Sequence, residues 1–345
     1  MQLNWGILST GAIARTFAHG LTQSRTGRLV AVGSRSRESA AAFAGQFGLP
    51  TDGLHADYDS LLRDPRVEAV YIAPPHPFHA EWAVKAAKAG KHVLCEKPFA
   101  MNLAQAQAMF AAARQHRVFM MEAFMYRCHP QIRLLLDLIR EGGIGEVKAI
   151  QAAFAFRGGD NPDSRILNRE LGGGGILDVG CYPVSFARLI AGAATGAPFQ
   201  DPLLVQGTGH IGSSGVDEYA AAMLTFPGDI IAQVATGVRL AMDNAARIYG
   251  TLGRIVVEDP WAASRDKPAV TRITVHAHET QTHTIEADCT CFAAEADIVA
   301  EAVANGMTEA PPPAMTWNDT LGNMRTLDAW RAAINLTYEA DGQGA

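Results

Sequence analysis

The sequence contains no block of basic residues. Its 29 lysines and arginines fall short of its 35 aspartates and glutamates, a net charge of −6, so it lacks the electrostatic footprint of a nucleic-acid binder. Charged residues are sparse at 19%, while 48% are hydrophobic, which rules out a disordered chain. No unbroken apolar run of about 18 residues is present, which argues against a membrane span. The five cysteines are odd in number and include no CxxC, which fits a reducing compartment better than a disulfide frame. The N-terminus enters a strand-like run at Leu3–Leu8 with no basic segment followed by a long apolar one, so a cytoplasmic protein is expected. No internal repeat of 20–50 residues is visible.

The 345 residues are enough for two cores. Up to about residue 123, strand-like and helix-like segments alternate over short connections. The strands are 3–8, 29–34, 69–73, 92–94 and 118–123; the helices are 12–23, 38–47, 79–89 and 102–115, the last with Asn102 as a plausible N-cap. This pattern predicts an α/β unit with a doubly wound parallel sheet over residues 1–123. After Arg127-Cys128-His129-Pro130 and a helix at 130–140, strand-like runs follow one another at 147–156, 204–211, 219–226, 230–237, 247–249, 254–258, 272–278 and 282–286. Strands joined by turns such as Pro227-Gly228-Asp229 predict an α+β unit at 124–345 with a large, mostly antiparallel open sheet. Helices would cover one face of it, leaving the other free for self-association. Helices are expected at 292–305 and 317–334, the second packing back on the first unit.

Three stretches carry chemistry. In Ser9-Thr10-Gly11-Ala12-Ile13-Ala14, between the first strand and helix, Gly11 and Ala14 take the second and third places of a GxGxxG/A dinucleotide fingerprint and Ser9 stands at the first. The second strand ends in Ser34-Arg35-Ser36-Arg37, with no acidic residue for a ribose hydroxyl. Ser34, Arg35 and Arg37 therefore favour a 2′-phosphate, and NADP over NAD. Two further strands end in Ala73-Pro74-Pro75-His76-Pro77-Phe78-His79 and Cys95-Glu96-Lys97-Pro98, where a parallel sheet forms its ligand crevice. His76 would lie near the cofactor ring, and His79 either there or merely at its helix start. In the second half, Gly172-Gly173-Gly174-Gly175 precedes Ile176-Leu177-Asp178-Val179-Gly180-Cys181-Tyr182, where a helix beginning near Leu177 would put Asp178 and Tyr182 on one face. Singly, a helix cap accounts for Asp178 and a half-buried ring for Tyr182. With Lys97 they form a proton-handling set, in which a nearby ammonium would lower the tyrosine pKa.

Five segments together resemble the glucose–fructose oxidoreductase / inositol dehydrogenase (Gfo/Idh/MocA) superfamily. They are Ile7–Ala14, Ala73–His79, Cys95–Pro98, Glu122–Met125 and Gly173–Tyr182, and Met315–Arg331 resembles its closing helix. Tyr182 stands where inositol dehydrogenases carry histidine, which is similar to the branch of dimeric trans-dihydrodiol dehydrogenases and NADP-dependent aldose dehydrogenases. The resemblance implies a Rossmann first domain and a site between the two sheets. It implies NADP, with NAD as the second choice, bound by Ser9, Thr10, Gly11, Ala12, Ile13, Ser34, Arg35, Arg37, Ala73, Pro75, His76, His79, Glu96 and Lys97. The reaction implied is hydride transfer to or from a secondary or anomeric hydroxyl of a sugar, polyol or cyclic trans-diol. Lys97, Tyr126, Arg157, Asp178 and Tyr182 would meet the substrate, and Lys97, Asp178 and Tyr182 would be catalytic. Tyr182 is taken as proton carrier and Lys97 as its electrostatic partner, or the reverse, with Asp178 orienting them. A cis Lys97–Pro98 bond and a homodimer or tetramer built through the second sheet are also implied. Two other functions use the same fold: an NAD-dependent glycosidase working by transient oxidation, and a nucleotide sensor, which would have no use for the three polar residues. Arg165 is read, like Arg157, either as a substrate contact or as an exposed loop arginine. His276 and His278, two apart in an expected strand, and Cys289 and Cys291 are read as strand and packing residues, and no metal is expected.

Overall fold

The computed structural model describes residues 2–161 and 163–342. Six parallel strands form the first sheet: β1 (Leu3–Leu8), β2 (Gly27–Gly33), β3 (Leu54–His55), β4 (Ala69–Ile72), β5 (His92–Glu96) and β6 (Met120–Ala123), in the order β3-β2-β1-β4-β5-β6. The inner strands are apolar on both faces and almost wholly buried, as a sheet covered on both sides requires. The order reverses between β1 and β4, and that switch point opens a crevice at the strands' carboxyl ends. Helices α1 (Ala12–Leu21), α2 (Arg37–Phe47), α3 (Tyr58–Leu62), α4 (His79–Lys88) and α5 (Leu103–His116) connect these strands. Asn102 caps α5 by accepting from the Gln105 amide, as its sequence position predicted. The short α3 and β3 lie in a stretch where no element was expected; Asp57 starts α3 by accepting from Ser60.

Helix α6 (Pro130–Arg140) leads into an eight-stranded sheet made of β7 (Val147–Ala155), β8 (Leu204–Ile211), β9 (Asp217–Phe226), β10 (Ile230–Gly237), β11 (Ala246–Gly250), β12 (Arg254–Val257), β13 (Val270–His276) and β14 (Thr280–Glu286). Its order is β14-β13-β12-β11-β7-β10-β9-β8, antiparallel except for the parallel pair β7–β10. Gly228 and Asp229, both at positive φ, make the β9–β10 turn. Alternation along β9 and β10 sends Ala220, Ala222, Leu224, Ala232 and Val234 into the core, against α7 (Cys181–Thr195). The same alternation leaves Tyr219, Met223 and Ile231 exposed on the other face. The helical stretch Arg169–Thr195 has the length and apolarity of a membrane span although polar residues interrupt it, but its most apolar window is entirely buried in this core.

Helices α8 (Cys291–Ala304) and α9 (Trp317–Ala333) run back over the first sheet. Phe292 of α8 packs so closely on Gly20 of α1 that a Cβ there would lie 2.6 Å from the Phe292 Cβ. Arg331 and Asp328 of α9 bond to the backbone at Met101 and Leu103. At the outer edge of β6, the Met120 amide donates to the Thr308 carbonyl and the Met120 carbonyl accepts from the Trp317 indole.

Candidate active site

Just beyond β5 the Lys97–Pro98 bond is cis. The Lys97 Nζ donates to the Asp178 carbonyl at 2.7 Å, lies 3.3 Å from its Oδ1, and sits 5.4 Å from the centre of the Tyr182 ring. The loop after β5 therefore meets the turn and helix that lead into the second half of the chain, with the Lys97 side chain 14% exposed. Asp178 is carried on one π-helical turn, Ile176–Gly180, that runs directly into α7, a device frequent at functional sites. The turn is held by Asp217 of β9, which accepts the Ile176 amide at 2.6 Å. Its tightness explains the glycines. Gly174 has φ +111°, and a Cβ there would lie 2.3 Å from the Asp217 Oδ1; one at Gly173 would strike three backbone carbonyls.

Arg165 completes the cluster. Its Nη2 donates to the Asp178 Oδ1 at 3.1 Å and its Nη1 to the His76 Nε2 at 3.2 Å. His76 must then donate from Nδ1, and it does so to the Gly172 carbonyl. Burial, reinforced by Arg165, pushes the His76 pKa well down, so the ring is neutral and this tautomer is fixed. Burial alone would raise the Asp178 carboxyl; Lys97 and Arg165 overcome it and hold the group ionised, below the usual carboxylate range.

Tyr182 behaves differently from the sequence-based expectation. Burial, with Glu96 adding repulsion, drives its pKa well above 10, where proximity to Lys97 was expected to lower it. The physical reason is geometric. The ammonium faces the ring and not the oxygen, and the hydroxyl rests on the Met125 Sδ at 3.5 Å within a cage of Phe124, Tyr126, Phe154 and Trp261.

At the switch point, Ser9 adopts φ +110°, the backbone form that a glycine in the first fingerprint place would take freely, and its Oγ accepts the Gly11 amide. Gly11 itself is unstrained at φ −66°, and a Cβ there would meet only the Ser9 Oγ at 3.6 Å. The protein's own packing thus gives no reason for glycine at 11; an approaching ligand does. Helix α1 begins there with no side-chain cap, so the first-turn amides of Ala12 and Ile13 are left for an anion. Beside it a cavity of about 280 Å³ is walled by Tyr58, Pro74, Pro75, Phe78 and Trp82, with Arg35 and the carboxylates Asp57, Asp59 and Glu81 at its lining. Aromatic walls match an adenosine, and among the described residues Arg35 is the one cation at this lining able to meet a 2′-phosphate, so these residues fit a nicotinamide dinucleotide. Ser34 binds the Ser36 amide, and exposed Arg37 opens α2. Thr10 and Ala73 lie at the same crevice, following β1 and β4.

Several expected contacts fall elsewhere. His79 is fully buried, with each ring nitrogen 2.9 Å from a carbonyl oxygen, of Pro98 and of Pro74, and burial lowers its pKa to about 4. It ties the loop after β4 to the loop after β5 and has no edge left for a cofactor. Glu96 is nearly buried, its carboxyl raised by burial and bonded to the Tyr71 hydroxyl and the Lys97 amide. Tyr126 is buried with its hydroxyl on the Ser185 Oγ, so it backs Tyr182 and does not face a substrate. Arg157 is exposed and bridges to Arg239 through its backbone; among the described residues its side chain bonds to nothing in the cluster. Arg165, in an aperiodic loop, takes that place instead. Strand β13 ends at His276, which meets Thr280, and His278 lies in the turn beyond, so the two do not share a strand face. All five cysteines are free, and no group of three metal-ligating residues occurs among the described residues.

Comparison with known proteins agrees with this geometry. The NAD-binding Rossmann-fold model of the GFO/IDH/MocA oxidoreductase family matches residues 3–124, and that family's C-terminal domain matches residues 132–256. Trans-1,2-dihydrobenzene-1,2-diol dehydrogenase of Mus musculus is 32% identical over 348 residues, 99% of each chain, and that of Xenopus tropicalis 30%, over 98% of this chain and 100% of the other. Among solved structures, a 3-ketoreductase from Actinomadura kijaniata in complex with TDP-benzene and NADP superposes with a TM-score of 0.81 at 28% identity. An aldose-aldose oxidoreductase from Caulobacter crescentus complexed with glycerol does so with 0.83 at 25%. Each comparison covers 97% of this chain and 98% of the other.

Proposed function

Because the chain belongs to the GFO/IDH/MocA family of oxidoreductases, we propose that its cleft exchanges a hydride between NADP and a hydroxyl of a sugar, polyol or cyclic trans-diol, or the matching carbonyl. The observation that carries this reading is the meeting of Lys97, from the loop after β5, with Asp178 and Tyr182, from the π turn and α7, together with an open cradle at Gly11. A bound nicotinamide would supply or accept the hydride; the rest falls to the protein. Asp178 holds the Lys97 ammonium through two contacts and so aims it into the cleft. Tyr182 is the proton carrier at the substrate oxygen, and Lys97 stabilises the charge that develops there. Thioether sulfur is a weak acceptor, so Met125 releases the phenol at little cost.

The raised Tyr182 pKa sets the protonation state in which the site rests. A phenol that stays protonated through neutrality is in the form that reduction of a carbonyl requires, whereas oxidation of an alcohol needs the phenolate and so gains with pH. The test is a screen at 340 nm, with NADP and NAD, against aldoses, inositols, vicinal diols and their carbonyl counterparts. NADP(H) should outperform NAD(H), because β2 ends in Ser34 and Arg35 where an acidic residue would favour NAD, although Asp57, Asp59 and Glu81 share the cavity. Reduction should be nearly flat from about pH 6 to about pH 9 while oxidation rises with pH. A reductive rate that falls across neutral pH would remove Tyr182 as the donor.

We also propose that a second copy of the chain covers the face of the large sheet bearing Tyr219, Met223 and Ile231, giving a homodimer or tetramer. Light scattering at the mass of a single chain at micromolar concentration would refute it. The five free cysteines fit a protein working in the reducing cytoplasm.

A further inference from the structure

Arg165 is a cation that the proton chemistry does not use. Asp178 is the ionised carboxylate of the cluster, and Lys97 already answers it at 3.3 Å. Arg165 adds a second positive charge on the same oxygen at 3.1 Å, while His76 beside it is neutral. The cluster of Lys97, Arg165, Asp178 and His76 therefore carries one positive charge in surplus.

The guanidinium is also held unusually firmly for a loop side chain. Surface ion pairs normally leave long side chains mobile and contribute little. Here both anchors are buried, His76 at 4% exposure and Asp178 at 3%, and they grip two different nitrogens of one plane. The outer edge of that plane remains open, with the side chain 41% exposed. Two of its five N–H donors are committed to the anchors, and three, the Nε–H and one on each Nη, are left without a protein partner among the described residues. A fixed guanidinium edge is the geometry that binds a carboxylate or phosphate through paired hydrogen bonds. Because Lys97 and Arg165 touch one Asp178 oxygen, they stand no further apart than the sum of those two contacts. A group on Arg165 therefore belongs to the molecule whose oxygen faces Lys97.

Resting on the reading of this cleft as the hydride-transfer site, we propose that Arg165 is a specificity-determining residue that anchors an oxyanion of the substrate, a carboxylate or a phosphate ester close to the reacting carbon. The preferred substrates are then sugar acids, hydroxy acids or sugar phosphates, and neutral aldoses and diols are poor ones.

The experiment compares wild type, Arg165→Met and Arg165→Lys on glucose, gluconate, glucuronate and glucose 6-phosphate with NADP, and on their carbonyl forms with NADPH. Calorimetric titration of each compound into the NADP-loaded protein provides a readout without turnover. Wild type should favour at least one anionic member over glucose by about tenfold or more, and the acid and phosphate arms identify which oxyanion it takes. Arg165→Met should lose about 10²-fold in kcat/KM on that member, mostly through KM, and at least about tenfold more than it loses on neutral substrates, whose loss reports only the broken contacts to Asp178 and His76. Arg165→Lys should recover part of the loss, since it keeps the charge and loses the fork. Equal losses on anionic and neutral compounds would overturn the proposal, as would weakened binding of NADP alone, which would make the cofactor the anion. Turnover of neutral sugars with no preference for acids sinks the anchor and leaves the hydride-transfer reading standing. Weaker binding of the anionic compound to Arg165→Met without turnover of any compound supports the anchor and removes the hydride-transfer reading.

Discussion

Lys97→Ala is expected to lower kcat by about 10²-fold or more, and Tyr182→Phe by a similar factor, while both proteins still bind NADP. Lys97 bonds to the Asp178 carbonyl and carboxylate, and Arg165 still answers that carboxylate when the ammonium is gone, so its truncation leaves the fold intact. What it removes is the ammonium facing both the Tyr182 ring and the cleft. Tyr182→Phe deletes one hydroxyl whose resting partner is a thioether, so the aromatic cage around it survives. If the two act as a unit on one proton, the double variant should be hardly slower than either single one, because effects within a catalytic unit do not add. Steady-state kinetics beside NADPH fluorescence titration separates lost chemistry from lost binding. Near-normal turnover in both variants would remove this pair from the site while leaving the two-sheet fold as described.

Asp319→Ala is expected to destabilise the protein by about 3–5 kcal/mol, the cost of leaving buried charge uncompensated. Asp319 lies in the first turn of α9 and is 1% exposed, with Arg127 donating to one carboxylate oxygen at 2.6 Å and Arg188 to the other. Both arginines are themselves buried. Removing the carboxylate strands two cations in the core, of which only Arg188 keeps a second acid, Asp201 at 2.6 Å. The damage should also spread toward the site. Arg127 donates to Ser185 at 3.0 Å, Ser185 meets the Tyr126 hydroxyl, and the Tyr126 ring lies against Tyr182. Urea unfolding curves of wild type, Asp319→Ala and Asp319→Asn measure this. A loss under about 1 kcal/mol for the alanine variant would show that the network is not what holds α9 in place.

Much of this architecture was legible in the residues alone. Period and turn signals place most strands and helices within two residues of their ends, because long amphipathic or fully apolar segments leave few alternatives. Lys97, Asp178 and Tyr182 could be picked out because each sits where regular structure stops or glycines accumulate. What stayed hidden depends on three-dimensional contact. Nothing in a loop without periodicity separates Arg165, clamped by His76 and Asp178, from Arg157, left outside. The same holds for His79, whose two carbonyl contacts come from loops on either side of its helix. The sign of the Tyr182 shift is set by how deeply the phenol is buried and by Glu96 beside it, and spacing along a chain carries no such information.

The edge of β6 has a consequence for how the molecule is made. Its backbone groups are covered by Thr308 and Trp317, nearly two hundred residues later in the chain. At ribosomal rates of about 5–20 residues per second, that strand leaves the exit tunnel roughly 10–40 s before its cover exists. Through that interval a nascent nucleotide-binding lobe presents a bare strand, the kind of surface that neighbouring chains on a polysome can pair with. Completion of the first lobe to be synthesised therefore waits on the last helix to emerge.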